Sequence, residues 1–492
     1  MNSKTDALTE NMIVPSAELI NETAELPTKK KEGFKPGFEN PCKLCSPLGA
    51  SLCLKGIEGA MTILHGSQGC STYIRRYLIG HFREPVDIAS SNFHEETAIF
   101  GGQDNLHQAL LNVESQYKPS VLGIATTCLA ETVGENMPLI LNAFEKVKPK
   151  NFPPLVWVST PSYQGTHREG FHRTVLEVVK QTNPVNAEAE EGKKAKATTK
   201  KGRTKLAVFP GMVSPADIRW LKRFLAEWKI DPVLLPDYSS TLDGGLWERY
   251  HHIPPGGTPI KEIRNLHKAD HAFELGRVLM QEETGGKWLE ANHGVPLTRL
   301  GYPLGLLETD LFVENLEKIT GRNLSEYHNE ERERLLDALV DAHKYTAGYR
   351  AMIYGDEDLV VAMASFLQET GIKPAMVVTG GRTGKLRAAM EHLFSTAELA
   401  EIAIYEDKDF MSMEDLARDS GVNLMVGNSK GYKLAKKLQV PLFRVGFPIH
   451  DRFGAGRILH FGYEGAQRLL DSLINMLLEK KQADNPVGYT YQ

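Results

Sequence analysis

The sequence is short of cysteine, of surplus positive charge and of long apolar runs, and each shortage excludes something. Five cysteines in 492 residues cannot make a disulfide framework, and structural disulfides are not expected in a large chain from a reducing compartment. There are 57 Lys and Arg against 62 Asp and Glu, a net charge of -5. No nucleic-acid partner is expected from that balance, because nucleic-acid binders are basic. No stretch reaches the ~18 consecutive apolar residues of a membrane span, so no membrane partner is expected either. Met1 to Gly33 lacks the apolar segment of a signal peptide, and the cytoplasm is the expected location. Nucleotide signatures are also missing. VTGGRTGK (Val378 to Lys385) has Leu386 where a P-loop needs Ser or Thr, and no G-x-G-x-x-G opens a helix at the first strand. The Gly-rich turn is read as a tight connection.

What remains is an ordinary globular composition, 41% hydrophobic and 24% charged, long enough for about three domains at roughly 150 residues each. Residues 1–38 form a polar arm with the basic run Lys29, Lys30, Lys31 and are expected to be disordered. Residues 39–186 form a cysteine-bearing α/β domain. VLGIATT (Val121 to Thr127) is a buried strand, LAETVGENMPLILNAFEKV a helical segment with a break near Pro138, and LVWVST (Leu155 to Thr160) the next strand. Residues 187–204 are a charged linker or insert without aromatics. Residues 205–345 make a second α/β domain, with KLAVFPG and PVLLPD as strands. Residues 346–492 make a third. Its strands are AMIYGD, PAMVVTGG, NLMVGNS and PLFRVGF, and its last helix sets Leu469, Leu470, Leu473, Ile474, Leu477 and Leu478 on one face. The expected fold class is α/β, three Rossmann-like domains with parallel sheets and a polar N-terminal arm.

The cysteines, Cys42, Cys45, Cys53, Cys70 and Cys128, all lie in the first 128 residues, which points to a metal site. Cys70 lies in LHGSQGCSTYIRRYLIGHF. Gly66 and Gly69 would let the backbone approach a bulky inorganic cluster. A helix is predicted right after the cysteine, with Tyr73, Ile74, Tyr77 and Leu78 on its apolar face, and a helix start favours a thiolate. Locally, Cys70 reads equally as a ligand or as a buried structural thiol. Cys128 follows a strand directly, where parallel α/β proteins place ligands, and Cys45 lies in the Pro/Gly-rich NPCKLCSPLGA. Three thiols are an incomplete set for a four-cysteine iron–sulfur cluster. The missing ligands would come from a partner chain or from an oxygen such as Ser162. Cys42 and Cys45 could instead be half a zinc site, although no second pair completes it. Cys53 reads as core, and His65 as a packed, hydrogen-bonded histidine.

The runs NPCKLCSPLGA, HGSQGCSTYIRRYLIGHFREP, SSNFHEETAIFGG, GIATTCLAETVGE, TPSYQGTH, PGMVSPADIRWLKR, VGNSKG, VGFPIHDRFG and FGYEGA resemble the nitrogenase component 1 family, from about residue 40 to the end. HGSQGC with HFREP is similar to its β-type half, which comprises the catalytic β subunit and the assembly paralogue NifN. The resemblance implies an αβ heterodimer that pairs into a heterotetramer, and an ATP-dependent iron protein that docks on it. If catalytic, Cys45, Cys70 and Cys128 match the cysteines given to an eight-iron (8Fe-7S) cluster shared with the α-type partner. Ser162 then matches a serine that can ligate iron in one redox state, Phe100 a phenylalanine at the docking surface, and Arg83 with Glu84 a peripheral metal site. If a NifN-like scaffold, the partner is a NifE-like α-type subunit, the cluster has four irons (4Fe-4S) held by one cysteine at Cys70, and a donor delivers the cofactor precursor. PDYSSTLDGGLWERYHHIPPGGTP, the shape of GFPIHDRFGAGRILHFGYEGA and the ending NPVGYTYQ look more like NifN, which makes the scaffold the leading expectation and a catalytic β subunit, or a nitrogenase-like reductase for another small substrate, the alternative. Cys45, Cys128 and Ser162 depart from the scaffold's pattern.

Overall fold

The structure is a computed structural model, and it describes residues 41–185 and 203–487. The expected arm over 1–38, nearly all of the 187–204 insert and the NifN-like ending lie outside the described residues, except for Arg203, Thr204 and residues up to Val487.

The α/β expectation holds: the described strands form three parallel sheets. The first contains β1 (Ala60–His65), β2 (Ile88–Ser90), β3 (Val121–Thr126) and β4 (Leu155–Val158) in the order β2-β1-β3-β4. The second contains β5 (Thr204–Phe209), β6 (Ile230–Leu234), β7 (His271–Leu275) and β8 (Leu297–Leu300) in the order β6-β5-β7-β8. The third contains β9 (Arg350–Gly355), β10 (Lys373–Thr379), β11 (Ala403–Tyr405), β12 (Leu424–Gly427) and β13 (Leu442–Arg444) in the order β11-β10-β9-β12-β13. Every residue of β1 and β3 is buried, as strands covered on both faces require. In each sheet the strand order reverses beside the first strand. There the loops leaving two neighbouring strands diverge and open a crevice. In the first sheet this point lies between β1 and β3, whose loops carry Cys70 and Cys128.

The helical segment after Cys128 breaks just before Pro138, as expected, at Gly134, which takes φ 86 at the end of Cys128–Val133. Pro138 then sits in the first turn of Met137–Val147, capped by Asn136, where proline costs nothing. The helix bearing Cys70 begins two residues before the cysteine, at Gln68. Only Ile74 and Leu78 of its expected apolar face are deeply buried, and Tyr73 is exposed. The Gly-rich turn after β10 is the short connection the sequence suggests, leading into the helix Leu386–Met390. Gly380 lies against the backbone of Cys42 and Lys43, so closely that a Cβ would strike it.

The three sheets meet at their carboxyl edges around one buried guanidinium. Arg168 opens the helix His167–Thr182 after β4. It donates to Asp358 Oδ2 from Nε at 3.0 Å and from Nη2 at 2.9 Å, and to Glu282 Oε1 from Nη1 at 2.9 Å. Asp358 follows β9, Glu282 follows β7, and Asp358 Oδ1 also accepts the Val278 amide at 2.8 Å. Asp356 and Glu357 complete the acidic surround. Burial pushes them up to about 7 and about 8, with Arg168 pulling the other way. Because their folded values are raised, the stability they lend is complete below their ordinary values of 3.8 and 4.5 and is lost as pH rises through about 7 and about 8. The unfolding free energy, and with it the melting temperature, is expected to fall between pH 5 and pH 8, the former by roughly 1.4 kcal/mol per pH unit for each group over the window between its ordinary and raised values. Glu357→Gln should flatten that profile; an unchanged slope in calorimetry would sink the assignment.

Candidate functional site

The site grows from the ends of the first sheet. Thr126 ends β3, Thr127 caps the next helix, and Cys128 is its first residue. The Thr127 amide and hydroxyl both donate to the His65 carbonyl at 3.1 Å, which locks the turn after β3 onto the end of β1. Cys70 is the third residue of Gln68–Phe82. Its thiol accepts from the Ser67 hydroxyl at 3.6 Å. Ser162, in the turn after β4, donates its amide to Cys128 Sγ at 3.2 Å, and its hydroxyl accepts the Ser46 amide at 3.1 Å.

Cys45 arrives from elsewhere. It caps Ser46–Leu54, a helix whose nine residues are all buried. That helix packs on His167–Thr182 through two glycines. A Cβ on Gly49 would strike the His167 carbonyl, and one on Gly170 would strike that of Ser46. The strap before it lies over the third sheet. Lys430 donates to the carbonyls of Pro41 and Lys43, and Cys45 bridges Thr166. Arg382, from the turn after β10, reaches the carbonyl of Tyr163 beside Ser162.

The thiols therefore gather. Burial pushes the Cys45 thiol up to about 11; the Leu48 amide lowers it, and the charges of Cys70 and Cys128 raise it further. Yet among the described residues no three His, Cys, Asp or Glu are placed to hold one metal ion. The C-x-x-C pair does not make half a zinc site. Cys42 points into a core patch with Met352, Tyr354 and Met376, so the C-x-x-C pair is split. Cys53 is fully buried in the main core.

Gly69 faces open space, with only Ser67 Oγ near the position of a Cβ, at 3.9 Å. It leaves room for a bulky group, as expected. Gly66 does not: a Cβ there would run into the Thr127 side chain, so its lack of side chain serves packing. His65 is buried and packed, as expected. Its Nδ1 lies 2.9 Å from Ser91 Oγ and its Nε2 lies 3.4 Å from Glu135 Oε2. Phe100 is 85% exposed at the end of Glu95–Phe100. Arg83 ends the Cys70 helix with φ 64 and donates to the His450 carbonyl at 3.2 Å, so its guanidinium is engaged. Glu84 is raised by burial and lies near Asp243 and Arg457. The Arg168 cluster and Glu135 were not foreseen, because their partners are distant in sequence.

The family model described as Nitrogenase component 1 type Oxidoreductase matches residues 45–478. The chain belongs to the nitrogenase component 1 family. It is 34% identical to a nitrogenase molybdenum-iron protein beta chain of Clostridium pasteurianum, over 90% of this chain and 93% of that one. A chain of the same description from Frankia alni is also 34% identical, over 91% and 84%. A solved structure of nitrogenase Cp1 at pH 6.5 superposes with a TM-score of 0.85 at 32% identity, covering 95% of this chain and 99% of that one.

The two glycines separate packing from clearance. Gly66→Ala is expected to destabilise the chain by about 1–3 kcal/mol through overpacking, and Gly69→Ala to leave the melting temperature unchanged. Equal effects in thermal unfolding would contradict the geometry.

Proposed function

We propose that this chain is the β-type electron-relay subunit of a nitrogenase component 1 complex. In it, Cys45, Cys70 and Cys128 hold half of an interfacial eight-iron cluster, and an α-type partner holds the other half. The observation that carries this is the gathering of all three thiols with Ser162 at the carboxyl edge of one sheet. When bound, such a cluster supplies low-potential electron storage, tuned by its ligands and by amide hydrogen bonds. The chain supplies the thiolates, the Ser162 amide beside Cys128, and the Ser162 hydroxyl as an oxygen ligand. The exposed Phe100 is where an ATP-driven iron protein docks. The names of the relatives, molybdenum-iron protein beta chains, support the same reading. Two such heterodimers would pair into a heterotetramer.

The scaffold alternative is a NifN-like subunit beside a NifE-like partner, maturing a cofactor precursor. It is supported by the likeness of the 236–259 segment, but it uses Cys70 alone and leaves Cys45, Cys128 and Ser162 without a task. Electron paramagnetic resonance of the anaerobically purified heterodimer tells them apart. Relay predicts an interfacial cluster silent in dithionite that gains signals on oxidation. A four-iron signal present in dithionite and lost on oxidation would instead establish the scaffold. Cys128→Ala is expected to strip most interfacial iron from a relay subunit and little from a scaffold. Full iron retention in Cys70→Ala would refute both.

A further inference from the structure

Ile99 and Phe100 are 75% and 85% exposed, and together they form an apolar tip on the six-residue helix Glu95–Phe100. The base of that tip is not free. Immediately after it, the Gly102 amide donates to Glu135 Oε1 at 2.7 Å. A Cβ on Gly102 would strike the rings of Phe93 and His65, so the backbone there lies directly against both. Glu135 itself stands just past the helix that Cys128 opens, and its own amide donates to the Ala130 carbonyl at 3.1 Å. Its second oxygen faces His65 Nε2 at 3.4 Å.

His65 in turn holds both cysteine loops. Its carbonyl takes the Thr127 amide, one residue before Cys128. Its Nδ1 shares Ser91 Oγ with the Gly66 amide, which donates at 3.1 Å, and Gly66 leads into the turn of Cys70. The carboxylate can only accept, so His65 Nε2 carries the proton and Nδ1 accepts from the Ser91 hydroxyl. Burial lowers the His65 pKa, against the pull of Glu135, which keeps the ring neutral as that pattern requires. The chain of bonds is directional and has no spare donor.

We infer that Glu135 is a positioning residue that couples the Ile99–Phe100 tip to the loops of Cys70 and Cys128 through His65, so that a reductase seated on the tip acts on the cluster's ligands. This rests on the docking role proposed for Phe100. One carboxylate joins three elements that otherwise leave the sheet separately. Displacement of the tip therefore displaces the group that fixes both cysteine turns.

The test uses the assembled heterotetramer as wild type, Glu135→Ala and Glu135→Gln. The midpoint potential of the interfacial cluster is measured with and without excess nucleotide-bound iron protein. In the wild type, docking is expected to shift the midpoint. In Glu135→Ala the iron protein should still bind within about threefold but the shift should vanish; Glu135→Gln, which keeps an acceptor for Gly102 but sets an amide N–H against the protonated His65 Nε2, should lose it as well. A full shift in Glu135→Ala would overturn the coupling, as would a wild type that binds without any shift. If the iron protein does not bind the wild type at all, the docking role itself is wrong, and hydrogen exchange on the free complex decides the coupling alone. Joint loss of protection at residues 66–70 and 101–102 in Glu135→Ala, by about tenfold or more with the third sheet unchanged, supports it. Loss at 101–102 only overturns it.

Discussion

A guanidinium removed from water must find carboxylates or the fold does not close, and Arg168 meets that demand from all three sheets at once. Its own helix follows β4, Glu282 follows β7 and Asp358 follows β9. The ion cluster can form only when the three carboxyl edges face one another. The same helix start carries Thr166, whose hydroxyl and amide share Glu169 in a capping box and whose backbone bridges Cys45. The constraint that assembles the sheets therefore also sets where the strap delivers its cysteine. Asp356 and Glu357 keep oxygens without hydrogen-bond partners, and burial raises both against the pull of Arg168.

The cysteines show a gradient of burial that a one-sided site requires. Cys42 and Cys53 are deep in apolar cores, Cys45 and Cys128 are half-buried, and Cys70 is exposed. Burial thus falls from the core side of the site to its outer side. Burial is the main reason the Cys45 thiol is raised, and the charges of Cys70 and Cys128 add to it. On the proposed function, loading a cluster there would couple loss of the thiol protons to metal binding.

Much of this was legible in the sequence because it is local. A cysteine directly after an apolar strand, a Gly/Cys turn leading into a helix and a Ser in a turn after the next strand each announce a position at a strand end. Nothing local shows that β1 pairs with both β2 and β3, and that reversal is what makes the crevice. Arg168 and Asp358 lie 190 residues apart, and no periodicity links them. Gly66 was misread for the same reason. A glycine beside a cysteine suggests clearance for a cluster, but the atom that forbids its side chain belongs to Thr127, on the loop after a neighbouring strand. The short edge strands β2 and β11, three residues each, carry too few residues for any pattern. The split of Cys42 from Cys45 was equally hidden, because it depends on the strap crossing the third sheet.

Sheet order finally explains why these parts lie together. Read across the first sheet, the loops after β2, β1, β3 and β4 carry in turn the Ile99–Phe100 tip, Cys70, Cys128 and Ser162. Chain order is different, since β1 precedes β2. Adjacent strands stand about 4.8 Å apart, so each group is one strand from the next, and the exposed tip at one end of the row lies within a few strand widths of Ser162 at the other. Had the sheet run in chain order, the tip would fall between Cys70 and Cys128 and would block the approach of the two thiols. The reversal at β1 moves the tip to the edge, where a partner can reach it, and leaves the two cysteine turns side by side. Glu135 and His65 occupy the seam between those turns, so contact between tip and site follows from the topology and needs no added element.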